Sequence, residues 1–250
     1  MQFVAPYSLI PAGDLILRFH PDHLTDLRAS GLTDGTIAAA GVYSLRPSDF
    51  AHFFNSRGGA PAEIETALCF PYQGGAFARI KLFPALDKMK YSQPPKTTAR
   101  LYAPLTLKSG EIIVTEGEKK TLAAYQAGFN AVGIGGVWNW LSQGEPIADL
   151  KLIDWTNRET TIIPDSDVFQ RIDLMRAIYA LGCELRALGA NVLVAQIQQP
   201  DAAKIGLDDF LVTGGEVQRL EVFSLGHRVF KSCESWYSRW KFQKTLKLAA

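Results

Sequence analysis

The spacing of apolar residues changes character along the chain. Residues 1–60 read as helical and irregular. His23–Gly31 predicts a helix closed by Gly31, and Leu32–Gly41 a second with Thr33 or Asp34 as its cap. Asn55–Pro61 reads as a loop. From Thr66 the signal becomes β. Ala67–Tyr72 and Ala76–Phe83 flank Gln73-Gly74-Gly75, a hairpin signature, and Pro84–Pro95 reads as a loop or ribbon.

From Glu111 onward, short apolar runs alternate with helical ones. A strand over 112–115 leads into a helix over 118–127 that Gly128 stops. A short strand, Asn130–Ile134, ends in Gly135-Gly136, and a third strand occupies 161–164. Asp173–Leu188 reads as a long helix stopped by Gly189, Asn191–Ile197 as a fourth strand, and Asp208–Val212 as a short helix closed by Gly214-Gly215. Repeated β-α alternation predicts an α/β fold with a mainly parallel sheet and flanking helices.

Composition narrows the class without naming a partner. The chain has 250 residues, 47% hydrophobic and 20% charged, which suits a soluble globular protein of one large or two small domains. With a net charge of +1, local clusters carry the information rather than the total. Cys69, Cys183 and Cys233 are far apart, and with four histidines they complete neither a disulfide framework nor a zinc site. No apolar run is long enough for a membrane span, and the N-terminus lacks the features of a signal peptide. The expected setting is the cytoplasm, with no membrane partner.

Two apolar runs end abruptly in carboxylates. Ile112–Thr115 delivers Glu116, and Thr161–Pro164 delivers Asp165 and Asp167. Acid groups at the C-terminal tips of parallel strands are where α/β folds place their active sites. Like charges held close repel unless cations lie between them, so the pattern points to a divalent metal and a phosphate-bearing substrate. If extended geometry persists past the strand, Asp165 and Asp167 leave the same side of the chain. Gly117 lets the chain turn into the helix and lets phosphate approach the backbone. A third segment, Lys204-Ile-Gly-Leu-Asp-Asp-Phe210, follows the fourth strand. It offers Lys204 to phosphate and Asp208 or Asp209 to a metal. Each piece also has a plain structural reading: a surface turn at Asp-Ser-Asp, acids at a helix start for Glu116 and Glu118, an N-cap at Asp208.

The order Glu-Gly, glycine-ended strand, Asp-x-Asp, Lys…Asp-Asp resembles the TOPRIM domain, the catalytic module of bacterial DnaG-type primases, topoisomerases and some nucleases. The resemblance covers residues 110–215. It implies acid/base work for Glu116 and Mg²⁺ or Mn²⁺ held by Asp165 and Asp167; Glu116 and Asp208 are further candidate metal ligands, and Lys204 a candidate catalytic residue facing phosphate. Glu116–Ala124, Gly135–Trp140 and Lys204–Phe210 look closest to primase-like domains of phage, plasmid and mobile-element replication proteins, often fused to a helicase. Lys119 and Lys120 depart from the DnaG-type pattern, which carries an aspartate there; they are candidates for nucleotide binding.

Upstream, residues 79–108 hold Arg79, Lys81, Lys88, Lys90, Lys96, Arg100 and Lys108 against the single acid Asp87, with Phe83, Tyr91 and Tyr102 among them. Basic and aromatic groups together suit a path for single-stranded nucleic acid; the plain alternative is a solvated ribbon. Leu68–Arg79, Lys90–Pro95 and Leu101–Pro104 resemble the basic subdomain that precedes TOPRIM in DnaG-type primases. That resemblance makes Arg79, Lys81 and Lys90 candidates to face template or nucleotide.

The expected organisation is thus a smaller primase-like α+β basic subdomain over 1–109, a TOPRIM domain over 110–215 and a basic, aromatic helical tail over 216–250. Phe230, Cys233, Trp236, Tyr237 and Trp240 have near-helical spacing in the tail, so docking onto the body is favoured over gripping nucleic acid. The expected activity is primer synthesis from NTPs on single-stranded DNA, with a replicative helicase as a possible partner. The sequence contains neither a Walker-type loop nor ligands for a zinc module. Rival readings are a TOPRIM nuclease, a non-catalytic nucleic-acid-binding accessory, and a haloacid-dehalogenase-type phosphatase. The last fits Asp165-Ser-Asp-Val168 only in part and requires a hydroxyl residue that the next strand end, Ala195–Gln198, does not supply.

Overall fold

A computed structural model of the protein describes residues 19–50, 53–54, 60–87, 89–103, 106–199 and 203–249, the side chains of 244–249 excepted. The N-terminal segment, most of the loop expected over 55–61, Lys88, Pro104 and the Lys244 and Lys247 side chains lie outside the described residues. The chain divides into two compact units. One comprises residues 1–98 and 102–107, the other 99–101 and 108–250.

The first unit opens with α1 (Pro21–Ala29), which begins on Pro21 and is followed by Ser30 and a left-handed Gly31 at φ 71°. Next comes α2 (Asp34–Ala39), capped by Thr33, whose hydroxyl accepts the Thr36 N–H at 3.2 Å. The strand β1 (Tyr43–Leu45) and the short α3 (Pro47–Phe50) follow. Then β2 (Thr66–Pro71), β3 (Ala78–Leu86) and β4 (Met89–Ser92) complete an antiparallel sheet in the order β1-β2-β3-β4. The glycines between β2 and β3 adopt φ of 86° and 69°, as the expected hairpin requires. Alternation along β2 and β3 buries Ala67, Cys69, Ala78, Ile80 and Leu82 in one core with Leu45, Phe50, Phe53 and Ile64.

The second unit is built on a six-stranded sheet. Its strands are β6 (Ile112–Glu116), β7 (Ala131–Ile134), β10 (Glu159–Ile163), β11 (Asn191–Gln196) and β12 (Glu221–Ser224), with β5 (Leu101–Tyr102), which begins on the last residue of the 99–101 segment, as the sixth, in the order β12-β11-β10-β6-β7-β5. A separate two-stranded hairpin pairs β8 (Leu141–Ser142) with β9 (Glu145–Pro146). The central pairs β11-β10, β10-β6 and β6-β7 are parallel, whereas β12 joins antiparallel. Central strands of a parallel sheet are covered on both faces, so Ile112–Thr115 and Thr160–Ile163 are all buried, and the buried Thr115 hydroxyl donates to the Ile163 carbonyl at 2.9 Å. The helices are α4 (Glu118–Gln126), α5 (Ile172–Ala187), α6 (Leu207–Val212) and α7 (Lys231–Ala249). One core gathers Ile113, Ala124, Ala131, Ile163, Ala195, Ile197 and Leu207. The architecture is mixed α/β with a mainly parallel sheet, as the alternation predicts.

Candidate active site

Strand β6 is buried until its last residue, Glu116, emerges half-buried at the C-terminal edge of the sheet. The chain turns there through Gly117 at φ 84°, a backbone region that a side chain would strain. Its N–H donates to the Ile134 carbonyl at 2.7 Å and its carbonyl accepts the Thr121 hydroxyl at 2.8 Å. These bonds fix the tip of β6 against β7 and α4.

Beside it, β10 ends and Pro164 leads to Asp165, whose side chain is 3% exposed. The extended geometry does not persist. Residues Ser166–Gln170 wind into a 3₁₀ turn, so Asp165 and Asp167 are not related by strand alternation. Asp167 instead meets Arg171 one turn on, at 3.3 Å. Ser166, between the two acids, was no sequence candidate. Its N–H donates to the Ile205 carbonyl at 2.9 Å, and its oxygen accepts the Ile205 N–H at 2.8 Å. Its hydroxyl also reaches Gln199 Oε1 at 3.0 Å. These bonds fasten the 203–209 segment to the tip of β10. The sequence signal for them was slight: a small hydroxyl residue between acids, read as part of a turn.

That fastening brings the charges together. Lys120 Nζ, from the first turn of α4, pairs with Asp165 Oδ1, and Lys204 Nζ pairs with Asp165 Oδ2. The Asp165 backbone N–H donates to the Glu116 carboxylate. Burial first, and then repulsion from Asp165, push the Glu116 carboxyl above its ordinary range, against the pull of Lys120 and Lys204. For Lys204, burial opposes the charge, but the hydrogen bond to Asp165 and the fields of Asp165, Glu116 and Asp167 raise its pKa overall. Asp167 therefore lies within the field of the cluster.

Asp208 is buried at the start of α6, while the neighbouring Asp209 takes the plain structural role, accepting the Gly206 N–H at 2.9 Å. Gly206 lies close against two side chains. A Cβ there would stand 2.5 Å from Lys120 Cε and 2.7 Å from Asp208 Oδ1. Lys119 is half-buried on α4. Among the described residues, no three acidic, imidazole or thiol side chains converge into a metal cage. What the site does offer is two crowded hard-oxygen donors, Glu116 and Asp165. Mg²⁺ commonly takes one or two carboxylates and completes its shell with water and substrate phosphates.

The upstream cations are placed differently from one another. Arg79 is buried with its guanidinium 5.0 Å from the Tyr91 ring centre. Lys81 pairs with Asp26 of α1 at 2.6 Å, and the two side chains are only 18% and 21% exposed. In the second unit, Arg100 holds Asp149 at 2.8 Å. The basic stretch is therefore not one solvated stripe, since Arg79, Lys81 and Arg100 have intramolecular partners. Lys90, Lys96 and Lys108 are exposed.

The tail docks, as its aromatic spacing predicts. Phe230 and Cys233 are buried, the Tyr237 hydroxyl donates to Glu184 of α5 at 2.8 Å, and Lys241 pairs with Glu184 at 3.1 Å. Trp236 lies between Trp138, 6.2 Å away, and Trp240, 5.7 Å away.

A family model described as "Domain of unknown function (DUF3854)" matches residues 106–218. No curated protein matches the chain. Solved structures do. The Aquifex aeolicus primase (zinc binding and RNA polymerase domains) superimposes with a TM-score of 0.60 at 15% identity, over 82% of this chain and 57% of that one. A DnaG catalytic core gives 0.54 at 17% identity, over 88% and 79% of the two chains. The RNA polymerase domain of Mycobacterium tuberculosis DnaG gives 0.52 at 13% identity, over 88% and 80%. The chain thus spans just over half the length of the Aquifex primase fragment and has the fold of a DnaG-type primase catalytic core with its TOPRIM domain.

Proposed function

We propose that the protein is a template-directed nucleotidyltransferase of the primase type, joining NTPs on single-stranded DNA. The observation that carries this reading is the meeting of Glu116 and Asp165 at the tips of adjacent parallel strands, with Lys204 and Lys120 on the same carboxylate, within a primase-core fold. In the reaction a 3′-oxygen bonds to the α-phosphorus of the incoming triphosphate, its proton goes to a base, and pyrophosphate leaves. Glu116 takes the acid/base role, its carboxylate standing beside Asp165 at the neighbouring strand tip. Lys204, whose side chain is 54% exposed, turns from Asp165 to the triphosphate and offsets its charge. Lys90, exposed on β4, suits a contact to nucleic-acid phosphate.

Mg²⁺ or Mn²⁺, held by Glu116 and Asp165 with Asp167 and Asp208 nearby, would neutralise charge on the reacting and leaving oxygens. Cytoplasmic replication of a phage, plasmid or other mobile element, alongside a helicase, is the setting this activity suits. Among the described residues no helix is long and apolar enough to cross a membrane.

The test is primer synthesis on single-stranded DNA with labelled NTPs and Mg²⁺ or Mn²⁺. Product is expected from the wild type and none from Asp165→Ala/Asp167→Ala; equal synthesis by both refutes the assignment. Shortening of a labelled strand in place of new synthesis would move the same residues to a nuclease. The saturation of Asp165 by two ammoniums supports one further alternative, a nucleic-acid-binding protein without turnover, for which neither product is expected.

A further inference from the structure

The two ammoniums on Asp165 are not equivalent. Lys204 is 54% exposed and belongs to a loop, so it can exchange Asp165 for another anion. Lys120 is 18% exposed and belongs to the first turn of a helix. Its stem crosses Gly206 so closely that even a methyl group there would stand 2.5 Å from Cε. The side chain therefore runs in a slot made by the absence of a side chain opposite. A lysine in the first turn of a helix also sits at the positive end of the helix dipole, where helix formation alone disfavours it. Its place is explained by the carboxylate it reaches.

We propose that Lys120 is a resident counter-ion that occupies the Oδ1 face of Asp165, so that the site holds a divalent cation weakly until substrate phosphate supplies further ligands. Lys204 is the ammonium that leaves, and Lys120 is the one that stays. Asp165 and Glu116 would hold the cation together with the phosphates rather than as a preformed cage. This rests on the nucleotidyltransferase reading for what the substrate is, but not for what is measured. Lys120 is a positioning residue: it acts on the cation through Asp165.

The experiment is calorimetric titration of the full chain with Mn²⁺ in the absence of nucleotide. Lys120→Met removes the charge and keeps the length of the stem. It is expected to bind Mn²⁺ about tenfold or more tighter than the wild type, since a unit positive charge a few ångströms away is lost. Lys120→Arg, which keeps the charge, is expected to match the wild type, and adding Asp165→Asn to Lys120→Met is expected to abolish the gain. Mn²⁺ affinity of Lys120→Met within twofold of the wild type, or a gain that survives Asp165→Asn, overturns the proposal. A second measurement needs no variant that might not fold: lysine ε-methylene resonances of the wild type on addition of Mg²⁺ and a nucleoside triphosphate. The Lys204 resonance is expected to shift and that of Lys120 to hold, and the reverse pattern overturns the proposal. Tightened Mn²⁺ binding by a protein that makes no primer would remove the polymerase reading and leave this one standing.

Discussion

Methionine at position 120 or at position 204 removes one of two ammoniums from the same carboxylate, yet the losses of stability should differ. Asp165 and Lys120 are 3% and 18% exposed, so their pair lies largely out of water. Removing one partner of such a pair costs about 3–5 kcal/mol when the remaining charge has no other partner. Asp165 would keep Lys204, and the methionine stem would keep its packing against Gly206, so Lys120→Met falls below that range, at about 2–3 kcal/mol. Lys204 is 54% exposed, and exposed ion pairs contribute about 0–1 kcal/mol. The expected gap between the variants is therefore about 2 kcal/mol, or roughly a 1 M shift in urea midpoint for a typical dependence on denaturant. All five tryptophans belong to the second unit, so fluorescence during urea unfolding reports on this unit. In a double-mutant cycle, Lys120→Met with Asp165→Asn should cost about 1–3 kcal/mol less than the sum of the single changes. Equal losses at 120 and 204, or strict additivity in the cycle, would refute the reasoning that burial separates the two lysines.

Two further outcomes are expected. His23 is fully buried between the Ser44 hydroxyl at 2.8 Å and the Thr66 hydroxyl at 2.9 Å, and burial chiefly holds its pKa down at about 4. The unfolded chain takes up this proton near pH 6.5, so the folded first unit is at full strength above that and weakens as pH falls towards 4, by about 2 kcal/mol at pH 5. Amide exchange in α1 and β2, corrected for the intrinsic pH effect, should show this slope, and His23→Gln should remove it. Gly117→Ala places a side chain at φ 84° with nothing within 4 Å of the new methyl, so its cost is backbone strain alone, about 1–3 kcal/mol. Tryptophan fluorescence in urea should register that loss, and an unchanged midpoint would mean the tip of β6 adapts freely.

The elements of this protein were legible where one local rule decided them. The hairpin at Gln73-Gly74-Gly75 needs only positive φ, the end of α1 only the left-handed Gly31, and β6 and β10 only the short β-type runs that precede their acids, although α1 starts at Pro21, two residues before the expected His23. Their carboxylate tips followed directly. Much less legible were pairings between distant residues. Lys81 reads as one more cation in a basic stretch, but Asp26, 55 residues earlier, claims it. Asp165 and Asp167 look like partners at strand spacing, but the 3₁₀ turn at Ser166 gives Asp167 to Arg171. Strand β12 is too short and too mixed in pattern to announce itself, and exists because the edge of β11 is there to pair with.

The amino-acid order alone therefore determined the α/β alternation and the delivery of Glu116 and Asp165 to strand ends, because period and turn chemistry act between near neighbours. Only the folded chain decided which charges neutralise which. Lys120 and Asp165 are 45 residues apart, and Lys204 is 39 residues from the same carboxylate. Their union depends on Ser166 fastening a loop to a strand tip and on Gly206 leaving room for a lysine stem, and no local pattern encodes either arrangement.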